Sequence, residues 1–180
     1  MLKILALVFL FFTALPLTAQ ANNPLPIDEY VSDALKVGEG RLVVYFFDVY
    51  DAELFAPEGL MTEAYDPPFA LRLSYLRSIK GRQISERSQE EMEDTGRYTP
   101  QQTARWAEEM NRIFPDVQKG DVLTGIYTAE GETLFYFNDT AQIGRIKDPL
   151  FGKAFFDIWL DENTTAPTLR RKLLGVIRER

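Results

Sequence analysis

Histidine and cysteine are both missing from the 180 residues, and their absence removes most hydrolytic, thiol-redox and zinc chemistry. Ser-His-Asp and Cys-His systems need an imidazole to take the nucleophile's proton, and tetrahedral zinc sites are built mainly from thiolate and imidazole. Any chemistry left to the chain runs on carboxylate, tyrosine, lysine or arginine side chains. Positive charge is also in deficit, with 20 basic against 27 acidic side chains and a formal charge of −7. Such a surface repels phosphate backbones and anionic headgroups over a Debye length of about 8 Å, which argues against a nucleic-acid partner. The acidic cluster Glu90, Glu91, Glu93 and Asp94 lacks the alternating spacing and glycine of a calcium loop and reads as a solvated helix face. No metal site and no cofactor are predicted, and no internal repeat is present.

A long apolar run occurs only at the start. Lys3 precedes Ile4 to Leu17, broken by Thr13 and Pro16, and the segment closes on Ala19-Gln20-Ala21. This is the pattern of a secretory signal peptide cleaved after Ala21, and the run is shorter than the roughly 18 residues a spanning helix needs. The expected division is a leader over 1–21 and a single domain over 22–180. Removing 21 of 180 residues leaves 159, enough to bury a core without disulfide staples, and losing Lys3 takes the formal charge to −8. With no cysteine after the run to carry a lipid, the mature chain is expected to be soluble and without a stable membrane anchor.

Asn22 to Pro26 reads as an exposed lead-in. Arg41 to Tyr50 is rich in Val, Phe and Tyr, and Ala52 to Ala56 continues past Asp51, predicting a long strand, a bend at Asp51 and a second strand stopped by Pro57-Glu58-Gly59. After Pro67-Pro68, Leu71, Leu73 and Tyr75 alternate with Arg72 and Ser74, the period of a strand with one buried face. Gly81 changes the pattern, and Arg82 to about Thr95 is predicted as a mostly exposed helix with Ile84, Ser88 and Met92 four apart. Thr99-Pro100-Gln101-Gln102 is a cap, a first-turn proline and a capping-box partner, opening a helix striped by Trp106, Met110, Ile113 and Phe114 and ended by Pro115. Val122 to Thr128 and Thr133 to Asn138 flank Glu130-Gly131 as a hairpin. Asp148-Pro149 repeats the cap and proline, and Phe151, Ala154, Phe155, Ile158 and Trp159 share one helical face. A last helix opens at Pro167 and carries Leu169, Leu173, Val176 and Ile177. Strands joined by tight turns, with helices gathered in blocks, predict an α+β fold: an antiparallel sheet with helices on one face.

As an ordered set, Val37-Gly38-Glu39-Gly40-Arg41, Val49 to Leu54, Phe69 to Arg77, Phe114-Pro115-Asp116 leading to Gly120-Asp121, and Phe155 to Leu160 resemble the secreted bacterial branch of the chalcone isomerase-like family. The resemblance spans most of the mature chain. It implies an open-faced sandwich with a ligand cleft between sheet and helices, and a periplasmic setting. In the plant enzymes of this family the cleft closes a flavanone ring with help from a Tyr, an Asn, an Arg and a Thr. Aligned without gaps on Gly81 to Arg87, the Tyr position falls on Ile84 and the Asn position on Glu91. Counting back from Tyr50, the Thr position is Tyr45, and the Arg matches Arg41 across a shorter connection. The enzymatic set is therefore not preserved. Non-enzymatic relatives hold fatty acids in the same cleft with an Arg and a Tyr on the carboxylate, and the resemblance leaves the Arg half of that clamp.

The candidate ligand-binding residues are Arg41, Tyr45, Tyr75 and Ile84. Arg41 suits a carboxylate at the mouth of an apolar cleft, or is an ordinary strand-entry arginine. Tyr45 and Tyr75 can offer a hydroxyl to a ligand, or pack as core tyrosines. Phe151, Phe155, Ile158 and Trp159 can wall a cleft or simply build the core. The carboxylates Asp116 with Asp121, and Asp157 with Asp161, each have capping or turn roles open to them, so a glycosidase pair is not favoured. Three functions follow as expectations: a non-catalytic binder of a small apolar or fatty-acid-like ligand, an isomerase (intramolecular lyase) with a rearranged site using Tyr45 or Tyr75 beside Arg41, or an envelope interaction module whose cleft is fully packed. Oligomeric state is not readable.

Overall fold

The computed structural model describes residues 26–59, 66 and 68–177. The leader, its cleavage point after Ala21 and nearly all of the lead-in lie outside the described residues. The elements in chain order are α1 (Ile27–Tyr30), β1 (Ala34–Val44), β2 (Phe47–Pro57), β3 (Phe69–Tyr75), α2 (Gly81–Asp94), α3 (Pro100–Ile113), β4 (Val122–Tyr127), β5 (Thr133–Phe137), β6 (Ala141–Ile146), α4 (Pro149–Leu160) and α5 (Pro167–Leu173). The strands form one six-stranded sheet in sequential order, every neighbour antiparallel. Helices α2 to α5 cover one face, so the α+β open-faced sandwich expected from the sequence is the architecture observed.

Strand alternation decides what each face carries. On β2 and β3 the residues Ala52, Leu54, Phe69 and Leu71 turn toward the helices and are buried. The opposite face holds Glu53, Arg72 and Asp139, where Arg72 bridges both carboxylates at 2.8 Å. Part of that second face is covered by α1, whose Ile27, with Val31 just after it, packs on Ala70, Ile126 and Leu134. Under α3 and α4 the core is aromatic: Phe135 meets Phe114 edge-on at 4.9 Å between centroids and Phe155 at 5.3 Å, and Phe69 meets Phe156 at 4.8 Å. Edge-to-face pairs of this kind add roughly 0.5–1.5 kcal/mol each beyond the area they bury.

The caps read from the sequence are formed. Thr99 accepts from the Gln102 amide at 3.3 Å, and Asp148 accepts from the Leu150 amide at 3.0 Å, each ahead of a first-turn proline. Four expectations need correction. The chain does not bend at Asp51; it reverses at Tyr45-Phe46, with Val44 opposite Phe47 and Asp51 inside β2. No Gly, Asn, Asp or Pro marks that turn, and Tyr45 takes a left-handed φ of 57°, a conformation that pairing of two 11-residue strands can impose on one residue. Strand β1 also begins earlier than expected, at Ala34. Its Gly38 and Gly40 are there because α5 lies on them: a Cβ at Gly38 would sit 2.1 Å from the Lys172 carbonyl oxygen. Strand β6 gave no sequence signal because it is an edge strand with mostly exposed side chains and an internal Gly144. Finally, α5 stops at Leu173, where Gly175 turns left-handed, so Val176 lies beyond the helix and is exposed.

Candidate functional site

The aromatic block fills only the β4–β5 side of the layer. Toward β1, β2 and the end of β3 the helices stand off from the sheet, leaving a cleft of about 930 Å³. That volume lies within the roughly 300–1,000 Å³ range of small-molecule sites. Its floor is sheet: Leu42, Tyr50, Leu73 and Tyr75. Its walls are Ile84 and Ser88 of α2, Phe155, Ile158 and Trp159 of α4, and Leu169 of α5. Ser88 of α2 lines the cleft on one side, and on the other α5 lies close on β1, where Gly38 and Gly40 carry no side chain and Leu169 faces the cleft.

Two tyrosines define the floor. Trp159 Nε1 donates to the Tyr50 hydroxyl at 2.8 Å, and the Tyr50 and Tyr75 rings meet edge-on at 5.8 Å. Burial pushes both phenols above the ordinary tyrosine value, so both are neutral at physiological pH and act as hydrogen-bonding groups. The Tyr75 hydroxyl has no hydrogen-bond partner among the described residues. It is available to a guest as donor and acceptor, whereas the Tyr50 hydroxyl already accepts from Trp159 and keeps only its own O–H to donate.

The rim is charged but internally neutralised. Arg87 pairs with Glu90 at 3.0 Å and with Glu91, and Glu91 also accepts from Thr165 Oγ1 at 2.9 Å, tying α2 to the segment before α5. Burial lowers the Arg87 pKa, but its two carboxylate partners outweigh this and hold it above its ordinary value. Glu93 accepts from Gln89 and Thr103. Glu90, Glu91 and Glu93 of the acidic stretch are therefore built into local pairs. Among the described residues no group of three or more acidic side chains could hold a metal ion.

All four residues singled out from the sequence border this cleft, in unlike ways. Tyr75 is on the floor and Ile84 on the wall. Tyr45 sits at the hairpin turn by the mouth and is 89% exposed. Arg41 borders the cleft at the strand, but β1 turns Gly40 and Leu42 toward the helices and Arg41 the other way. Its guanidinium reaches Asp51 at 2.7 Å and Asp48 at 2.8 Å, and the hydrogen bond to Asp51, with both negative charges, raises its pKa. The open guanidinium anticipated for a ligand carboxylate is thus engaged by the chain's own acids on the outer face. Sequence reading passed over Arg87 and Thr165 at the rim; the only signal for Arg87 was its spacing of three and four from Glu90 and Glu91. No helix among the described residues is long and apolar enough to cross a membrane.

Comparisons with known proteins bear on this geometry. A family model described as chalcone isomerase-like matches residues 37–175. An uncharacterized protein of Haemophilus influenzae is 33% identical over 129 residues, which is 72% of this chain and 62% of that relative's length, so the chain spans a little under two thirds of it. Among solved structures, a fatty-acid binding protein of Arabidopsis thaliana superposes with a TM-score of 0.64 at 13% identity, covering 81% of this chain and 88% of the plant protein. At that identity the likeness is one of fold.

Proposed function

This chain belongs to the chalcone isomerase-like family, and from that premise we propose that it is a non-catalytic binder of a small apolar or amphipathic molecule such as a fatty acid. The observation that carries the reading is the cleft of about 930 Å³ between sheet and helices, walled by Ile84, Phe155, Ile158 and Leu169. A twelve-carbon tail would gain about 9 kcal/mol at roughly 0.8 per buried methylene, against association costs of about 4–15 kcal/mol. The tail therefore supplies most of the affinity. Tyr75 would donate to a carbonyl or carboxylate oxygen of the guest, Tyr45 would cover the mouth, and Arg41 would contribute at the rim only by giving up one of its carboxylates. The fatty-acid binding named for the Arabidopsis protein of the same fold supports this choice of guest.

The second reading, an isomerase or intramolecular lyase, rests on the unpartnered Tyr75 hydroxyl. Against it, Ile84 stands where the resembled enzymes place their tyrosine, and both floor phenols are held neutral, so neither can serve as a base near pH 7. Native mass spectrometry of the gently purified protein tests the binding reading: a mass increment from a co-purified lipid is expected. A bare chain that also takes up no added fatty acid would refute it. Cyclisation of a chalcone above background, lost on Tyr75→Phe, would establish the second reading instead. The reading also includes export by the leader into the periplasm, as in the family's secreted bacterial branch. Intact mass of the protein from its own cells should correspond to a chain beginning at Asn22.

A further inference from the structure

We propose that the β1–β2 hairpin tip is a membrane-contacting finger that seats the mouth of the cleft on a lipid surface. The tip carries the two most exposed large apolar side chains of the described residues. Phe46 is 94% exposed, Tyr45 89% and Phe47 61%, with Val43 and Val44 about half exposed on the stem. Leu42 to Phe47 contains no charge. Exposing this much apolar surface costs solvation unless something covers it.

Three observations select a bilayer as the cover. The first is shape and residue type: a two-residue turn closed by Val44 opposite Phe47 is a convex finger, and its phenylalanines and tyrosine are side chains that settle at the boundary between headgroups and acyl chains. The second is charge. The Arg77 guanidinium lies 5.2 Å from the Phe47 ring centroid. Lys119 is held at the same end of the sheet by the Gly120 amide bonding the Tyr75 carbonyl, and Leu76 is tied to Val49. Neither Arg77 nor Lys119 makes an ion pair among the described residues; Arg77 sits against the ring of Phe47 at the tip, and Lys119 lies at the same end of the sheet. The chain's overall negative charge is screened beyond about 8 Å, and Asp48 and Asp51 of the hairpin are both engaged by Arg41, so Arg77 remains the cation presented beside the tip. The third is continuity, since Val43, Val44 and Tyr45 of the stem also line the cleft. Whatever covers the tip also meets the entrance. A two-fold pairing of chains centred on the tip is disfavoured, because it would bring each Arg77 against its own copy.

Docking stands apart from the ligand reading; only the passage of an apolar guest between bilayer and cleft rests on it. The absence of cysteine allows a direct test. Phe46→Cys and Leu150→Cys in the full chain are each labelled with an environment-sensitive dye and mixed with vesicles of phosphatidylethanolamine and phosphatidylglycerol. Leu150 is exposed and lies at the start of α4, at the far end of the sheet from the tip. The label at position 46 should shift to the blue and that at 150 should not, whatever the leader does. In flotation, unlabelled Phe46→Asp should partition at least about tenfold less than wild type, and Arg77→Glu several-fold less at low salt. A label at 46 that stays in water, equal shifts at both positions, or a tip-mediated dimer abolished by Phe46→Asp would overturn the proposal. Fatty-acid uptake by the wild-type protein without vesicles is read separately: its failure would remove the ligand reading and leave this one standing.

Discussion

Replacing Gly38 by alanine adds one methyl group between β1 and α5, and the structure says where it must go. The new Cβ would lie 2.1 Å from the Lys172 carbonyl oxygen and 2.5 Å from that of Leu173. Both are backbone atoms at the end of a helix, so no side chain can rotate away and α5 itself must lift by about 1 Å or more. Overpacking against backbone of this kind costs roughly 1–3 kcal/mol if the helix shifts. If α5 detaches, Leu169 and Leu173, both buried, lose about 1.5–3 kcal/mol each. For a chain of this length, 1–3 kcal/mol lowers Tm by roughly 2–12 °C. Because Leu169 is also a wall of the cleft, fatty-acid affinity should fall with stability, and protease cleavage should appear within Pro167–Leu173. Melting by calorimetry, followed by ligand titration of the folded variant, checks both. A Gly38→Ala protein that melts with wild type and binds equally well would mean that α5 does not rest on β1 as described.

Other perturbations follow from single contacts. Tyr50→Phe removes the acceptor of the Trp159 indole N–H and should cost about 1–3 kcal/mol in urea unfolding; an unchanged midpoint would deny that bond. Asp148→Ala removes both the cap of α4 and the acceptor of the buried Trp106 Nε1 at 3.0 Å, with an expected loss of about 2–4 kcal/mol, whereas Asp148→Asn, which keeps an acceptor, should lose less. Asp161 is buried in part, which raises its pKa, but the Asn163 amide and Arg97 outweigh this and hold it below the ordinary carboxylate value. Its contribution to stability is therefore present above the unfolded value of about 3.9 and lost as pH falls through the folded one. Asp161→Asn should be less stable than wild type at about pH 6 and closer to it at about pH 3, and a pH-independent difference would contradict this.

The fold was largely legible because its signals are local. Thr99-Pro100 and Asp148-Pro149 announce two helices through orphan amides that only certain side chains can satisfy, and Leu71, Leu73 and Tyr75 give β3 by period alone. What escaped is set by tertiary contact. The turn at Tyr45-Phe46 is held by the pairing of its flanking strands, and β6 is a strand because β5 needs a partner. The glycines of β1 look like breakers until α5 is laid over them. At the site, Tyr75 and Ile84 were within reach through strand alternation and family resemblance. The direction of Arg41 depended on the register of β1, which moved with the misplaced bend, so its carboxylate partners on the outer face could not be foreseen.

Ligand binding depends on the space beneath the β1–β3 half of the sheet, and filling that space should weaken or abolish it. Ile84→Trp projects an indole from the α2 wall into the cleft of about 930 Å³ without touching the outer face or the hairpin tip. Titration with a fluorescent long-chain fatty acid should show wild-type binding weakened about tenfold or more in the variant, the effect of denying the guest two or more buried methylenes, with Tm unchanged or raised. Equal affinity in the two proteins would place any bound fatty acid elsewhere and contradict the central claim.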